Sequence, residues 1–168
     1  MERNYHLVLA ALLVGLLITL SSCDDSPVFP AEPKVEYLDI FPREVQVGDS
    51  VLITFRFQDG DGDLGTNDGE TTNLTLLDSR EVEGRVPDGF GVNPYTLPSL
   101  TPDAKNPSIQ GEVTVKINSM VRLPDVARGE PDSVRYQIIL IDRAGNQATP
   151  ISGNEEAIWT DYVYVYPN

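Results

Sequence analysis

Residues 51–58 read VLITFRFQ, and the seven that follow, 59–65, read DGDGDLG. In the first stretch Val51, Ile53, Phe55 and Phe57 fall on one face of an extended chain, while Thr54, Arg56 and Gln58 fall on the other. Successive side chains of a strand point to opposite faces, so this period of two predicts a half-buried β-strand. The same alternation recurs along the chain. Val113, Val115 and Ile117 share a face, as do Val134, Tyr136, Ile138 and Leu140. Over 158–166, Trp159, Val163 and Val165 alternate with Tyr162, Tyr164 and Tyr166. Shorter strands are expected at 35–40 and 72–78. Gly48-Asp49, the run from Gly129 to Asp132 and the acidic stretch itself supply turn chemistry between them.

About seven short strands separated by turns predict an all-β chain folded as an antiparallel β-sandwich over residues 35–168. One stretch does not fit a minimal sandwich. Residues 79–110 are rich in Pro, Gly and polar residues, with Phe90, Tyr95, Leu97 and Leu100 scattered among them. Loops of that length are functional or disordered, and an irregular edge strand inside it is a third option.

The 168 residues suffice for one ordinary domain. Their formal net charge is −14, from 12 basic and 26 acidic side chains. Such a charge repels nucleic acid and anionic membrane surfaces and attracts cations, so no nucleic-acid partner is expected. The only His is His6 and the only Cys is Cys23. Residues 24–168 therefore contain neither imidazole nor thiol, which excludes Ser-His-Asp and Cys-His catalysis, the usual zinc ligand sets and an intrachain disulfide.

Residues 7–20, LVLAALLVGLLITL, are an unbroken apolar run. A membrane-spanning helix needs roughly 20 apolar residues, so the run matches the apolar region of a secretory signal better than a permanent span. Leu20-Ser21-Ser22-Cys23 resembles the lipobox of bacterial lipoproteins. The resemblance implies that residues 1–22 are a cleaved signal peptide and that Cys23 carries acyl chains such as palmitate. Each buried methylene contributes about 0.8 kcal/mol, so two or three chains hold a soluble domain at a membrane. Asp24 and Asp25 resemble the surface-export signal of Bacteroidota lipoproteins, whereas in enteric bacteria Asp at this place resembles an inner-membrane retention signal. An outer-membrane, surface-exposed envelope location is the expectation from the first of these. Residues 23–34 read as a lipidated Cys and a flexible, Pro-rich tether.

The strand pattern resembles immunoglobulin-like and fibronectin-III-like domains. Tyr136 opens a Tyr-x-Ile-x-Leu-x-Asp strand like their penultimate one, and Asp142-Arg143-Ala144-Gly145-Asn146 looks like the turn that follows it in many bacterial modules.

Asp59, Asp61 and Asp63 stand at alternate positions, separated by Gly60 and Gly62. Glycines let the chain curl until the carboxylates converge, and a hard cation removes their mutual repulsion. The spacing resembles the EF-hand loop, with Glu70 at its twelfth position. Leu64 replaces the sixth-position Gly, and the flanks are strands, so the ligands carry over but the EF-hand fold does not. Asp142 follows the penultimate strand. In an Ig-like sandwich that places it at the same end as the acidic run. Calcium held by Asp59, Asp61, Asp63 and Asp142 is the expectation, with Glu70 and Asn146 as secondary candidates.

The combination of lipobox, acidic tether, Ig-like strands, acidic loop and Asp-Arg-Ala-Gly-Asn turn resembles a group of Bacteroidota lipoproteins. The expected function is a non-catalytic binding or structural module at the cell envelope, with a protein or glycan partner. Two alternatives stand beside it. One is a carbohydrate-binding module of a polysaccharide-uptake or adhesion system, using the aromatic stripe Tyr162, Tyr164 and Tyr166. The other is a small carboxylate-dependent hydrolase.

Overall fold

A computed structural model describes residues 28–87, 89–100, 107–153 and 157–168. The expected leader, the lipobox with Cys23, and Asp24 and Asp25 lie outside the described residues.

The described chain forms ten strands and one short helix. In order they are β1 (Lys34–Phe41), β2 (Glu44–Gln46), β3 (Val51–Asp59), β4 (Leu74–Asp78), α1 (Ser79–Val82), β5 (Val92–Tyr95), β6 (Ile109–Ile117), β7 (Asp132–Val134), β8 (Tyr136–Leu140), β9 (Thr149–Pro150) and β10 (Val163–Tyr166). One layer has the order β6-β3-β1-β9. The other is built from β2-β10-β7 and β5-β4-β8. Only Arg135 separates β7 from β8, and Gln137 bridges to Trp159 just ahead of β10, so the two groups continue one another.

The stretch 51–58 lies at the centre of the first layer. β3 pairs antiparallel with β6, Val51 opposite Ile117 and Phe55 opposite Val113, and antiparallel with β1, Ile53 opposite Ile40. Val51, Ile53 and Phe55 have no exposed surface. From the facing layer Leu74, Leu76, Val134, Ile138, Leu140, Val163 and Val165 close over them. Each such side chain contributes roughly 1.5–3 kcal/mol when removed from water. The β6-β3-β1 and β4-β8-β10 groupings match the two sheets of an Ig-type sandwich, with β5 as an extra edge strand beside β4.

The all-β sandwich stands, with three differences of detail. The strands number ten, because short edge pieces (β2, β5, β9) are too brief to show a period. Two pairings are parallel, β9 with β1 and β2 with β10. Trp159 does not share the inward face of Val163 and Val165. Ile158 and Thr160 are buried there instead, and the inward phase shifts between Thr160 and Val163. Within the insertion 79–110 lie α1 and β5, and Tyr95, Leu97 and Leu100 pack against the core.

The body of the domain also begins earlier than residue 35. Pro30 O accepts from Gly60 N at 2.8 Å and Pro33 O from Thr149 N at 3.1 Å, so the expected tether is attached over its last residues.

At the end of the sandwich where β4 finishes and β7 starts, three charged groups are buried. Arg80 is 2% exposed, Asp78 4% and Asp132 2%. The Arg80 guanidinium donates to Asp78 Oδ2 at 2.5 Å, to Asp132 Oδ2 at 2.7 Å and to Val121 O at 2.7 Å. Arg85 and the Leu123 N–H complete the shell of Asp132, at 3.1 and 3.0 Å. Burial alone would lower the pKa of Arg80, but the hydrogen bonds and charges of Asp78 and Asp132 outweigh it and hold the guanidinium above its ordinary value.

Candidate metal centre

The opposite end of the sandwich carries the acidic loop. β3 delivers Asp59 at its last position, in phase with the buried Val51, Ile53, Phe55 and Phe57, so its carboxyl enters the end of the core. Asp59 has no exposed surface. The chain then curls through Gly60 and Gly62 and brings Asp61 and Asp63 back towards it. One carboxylate oxygen from each of Asp59, Asp61 and Asp63 lies within 4.8 Å of the others. Two oxygens bound to one calcium ion at about 2.3–2.6 Å are at most roughly 5 Å apart, so the spacing suits a shared cation.

Leu64 accounts for the departure from an EF-hand at the sixth position. Its side chain is buried at 1% exposure, and its N–H donates to Asp59 Oδ2 at 3.2 Å. A glycine there would leave the end of the core unfilled. The turn is made one residue later by Gly65, at φ +83°, where a side chain would also collide with the Pro98 carbonyl.

The second oxygen of Asp59, Oδ1, is buried with no hydrogen-bond partner, and so is Oδ1 of Asp63. Among the described residues none of the ion pairs involves Asp59, Asp61 or Asp63. Burial, with Asp61 and Asp63 adding repulsion, pushes the Asp59 carboxyl up to about 6. Burial, then the charges of Asp142 and Asp61, raise Asp63. Buried acceptors that lack donors are costly, and a cation is the partner that three converging carboxylates fit.

The two loops meet as expected. Ala144 N donates to Asp63 Oδ2 at 3.0 Å and Arg143 N to Asp63 O at 3.4 Å. Asp142 itself does not join the cluster. Its Oδ1 accepts from Asn146 N at 2.7 Å and its Oδ2 from Asn146 Nδ2 at 2.8 Å, so it closes its own turn. Asn146 turns its N–H and its Nδ2 to Asp142 and lies outside the cluster as well. Glu70 is exposed and outside the cluster; its N–H donates to Asp68 Oδ1 at 3.0 Å. The expected four-acid site is therefore three acids, with Asp142 acting on them through charge and loop position.

Between these loops opens a cleft of about 360 Å³, lined in part by Asp68, Asp142 and Arg143. Asp68 is held below the usual carboxylate range by the Thr71 hydroxyl and by backbone N–H groups. Both of its neighbours in this cleft are likewise engaged: Asp142 with Asn146, and Arg143 with Gly65 O and Ser99 Oγ, each at 3.2 Å.

The tyrosine stripe lies on the outer face of the other layer. Tyr162, Tyr164 and Tyr166 are 41%, 43% and 37% exposed. Tyr164 sits opposite Ser133 and Glu44. Arg135 stacks its guanidinium 4.5 Å from the Trp159 ring centre and 5.1 Å from that of Tyr162. That cation–π stack was not foreseen, because it depends on the irregular stretch ahead of β10.

The pH dependence follows from Asp59. Its folded pKa lies above the ordinary carboxyl value of 3.8, so the stability it contributes is complete below that value and is lost as pH rises through about 6. In chelator, the melting temperature of the wild type relative to Asp59→Asn should fall between about pH 4 and pH 6.5 and level off above, measured by calorimetry. A difference that stays flat with pH would show that Asp59 titrates normally.

No family model matches the chain, and no curated protein matches it. One solved structure that is similar is a Pseudomonas fluorescens alkylpurine DNA glycosylase bound to DNA with an abasic-site analogue. Identity is 10% and the TM-score 0.38, over 83% of this chain and 31% of that one. A likeness of that level carries no argument about this chain.

Proposed function

We propose that this chain is a lipid-anchored protein of the cell envelope whose β-sandwich is a non-catalytic binding or structural module completed by one calcium ion. The observation that carries the cation is the buried, partnerless Oδ1 of Asp59 beside the carboxylates of Asp61 and Asp63. Calcium is favoured because the loop offers oxygen ligands only, and because hard cations with six to eight oxygens tolerate an irregular loop. The ion would be structural. It neutralises the pole where the acidic loop meets the Asp142 turn, leaving the outer faces for a protein or glycan partner.

The anchor rests on Leu20-Ser21-Ser22-Cys23 following a short apolar run, with the outer membrane as the expected address from Asp24 and Asp25. Expressed in a host that processes lipoproteins, the wild type should enter the detergent phase on partitioning, and Cys23→Ser should stay in the aqueous phase. Equal partitioning of the two would remove the anchor from this reading.

One observation favours a second reading. Three tyrosines at alternate positions remain more than a third exposed on a single face, which suits stacking on sugar rings. Binding on a glycan array that Tyr164→Ala abolishes would favour a carbohydrate-binding module over a structural one, and an array without hits would remove it.

A further inference from the structure

The acidic loop also holds the N-terminal segment. Gly60 lies between two of the three carboxylates, and its peptide is gripped on both sides. Its N–H donates to Pro30 O at 2.8 Å, and its carbonyl accepts from Ser108 Oγ at 3.1 Å. The approach is so close that a Cβ at Gly60 would collide with the carbonyl oxygens of Phe29 and Pro30. Further along, Pro33 is buried and its carbonyl accepts from Thr149 N at 3.1 Å, while Lys34 Nζ donates to Thr149 Oγ1 at 2.6 Å. Beyond that point β1 is secured by its full pairing with β3. Residues 29–33 are thus a strap laid across the end of the sandwich, and one of its fastenings is the backbone of the acidic loop.

We propose that the acidic loop is a cation-controlled clasp for this strap. The inference rests on the metal reading above. A bound cation fixes Asp59 and Asp61 together, which fixes the Gly60 peptide between them and keeps its N–H aimed at Pro30. Without the cation the three carboxylates repel, the Gly60 peptide reorients, and the strap loses its outer fastening. Residues 29–32 then pass from docked to extended, at about 3.3–3.6 Å each, while Pro33 stays fastened to Thr149, which lengthens the N-terminal tether by roughly 13 Å. Cation concentration would in this way set how far the domain stands from whatever its N-terminus is fixed to.

The test uses the full mature chain in detergent with nitroxides on Val28→Cys, which is 91% exposed, and Lys116→Cys, which is exposed on β6. The distance distribution between the labels, read by pulsed electron resonance, should be narrow in calcium and roughly twice as broad in chelator. Asp61→Ala, which removes an exposed ligand and with it the cation, should be broad in both. A distribution unaffected by calcium, in protein whose melting temperature does respond, overturns the clasp and leaves the metal site intact. No response of either quantity overturns both. A narrow distribution in Asp61→Ala with calcium, in protein whose melting temperature no longer responds to calcium, also overturns the clasp. Spin counting on the parent chain separately reports whether Cys23 is a free thiol, so a failure of the anchor reading is seen independently.

Discussion

Calcium is expected to raise the melting temperature of the wild type and to leave Asp59→Asn unmoved, so the lead that Asp59→Asn holds in chelator narrows or closes when calcium is added. This is the expected result of replacing the one carboxylate that is wholly buried without a full set of donors. For a dissociation constant of about 0.1–1 mM, calcium at about 5 mM stabilises by roughly 1–2 kcal/mol, or about 3–8 °C in a domain of this size. Asp59→Asn forfeits that gain. At neutral pH it also removes a charge whose burial is unfavourable, worth on the order of 1–2 kcal/mol given a carboxyl raised to about 6. Leu64 N retains its acceptor, since the amide oxygen of Asn can take the place of Oδ2. Scanning calorimetry of both proteins in calcium and in chelator checks the two gaps. A mutant less stable than the wild type in chelator would mean that Asp59 is held by hydrogen bonding and not waiting for a cation.

The largest loss of stability is expected at the other end of the sandwich. Arg80→Met should cost about 3–5 kcal/mol, because it leaves Asp78 and Asp132 buried and uncompensated. Against a typical total of about 5–15 kcal/mol, that is roughly a fifth or more of the stability of an ordinary domain. Arg80→Lys keeps the charge but loses the planar fork that reaches Asp78, Asp132 and Val121 O together, so an intermediate loss is expected. Urea denaturation is the measurement: the midpoint should fall at an unchanged slope. A loss below about 1 kcal/mol for Arg80→Met would place the network among surface ion pairs.

Much of the fold was legible because burial and strand period coincide. Val51, Ile53 and Phe55, and Val134, Tyr136, Ile138 and Leu140, alternate over enough residues to define an inward face. The same phase carries a signal that polarity hides. Asp59 continues the inward set of β3, Asp78 that of β4, and Asp142 that of β8, while Asp132 starts the inward set of β7. All four are buried, and each sits at a strand end. Their partners differ: Arg80 for Asp78 and Asp132, Asn146 for Asp142, and for Asp59 only backbone N–H groups, with Oδ1 left unpartnered. Which partner each acid finds depends on loop paths, and no periodicity encodes those. That is why the Arg80 network escaped sequence reading and why Asp142 was expected to be a ligand. The strap was hidden for a related reason. A Pro-rich stretch has no apolar period, and its attachment is made by backbone groups of Gly60 and Thr149.

The two ends of the sandwich therefore differ in what they need. One is riveted by an arginine the chain brings with it. The other is left with an oxygen that only the surrounding medium can satisfy. In ion-poor buffer local opening should start at the acidic end and travel inward along β3, while the amides around Arg80 exchange only on global unfolding. The domain would melt like a zipper from one side, with an ion setting how firmly the first tooth is closed.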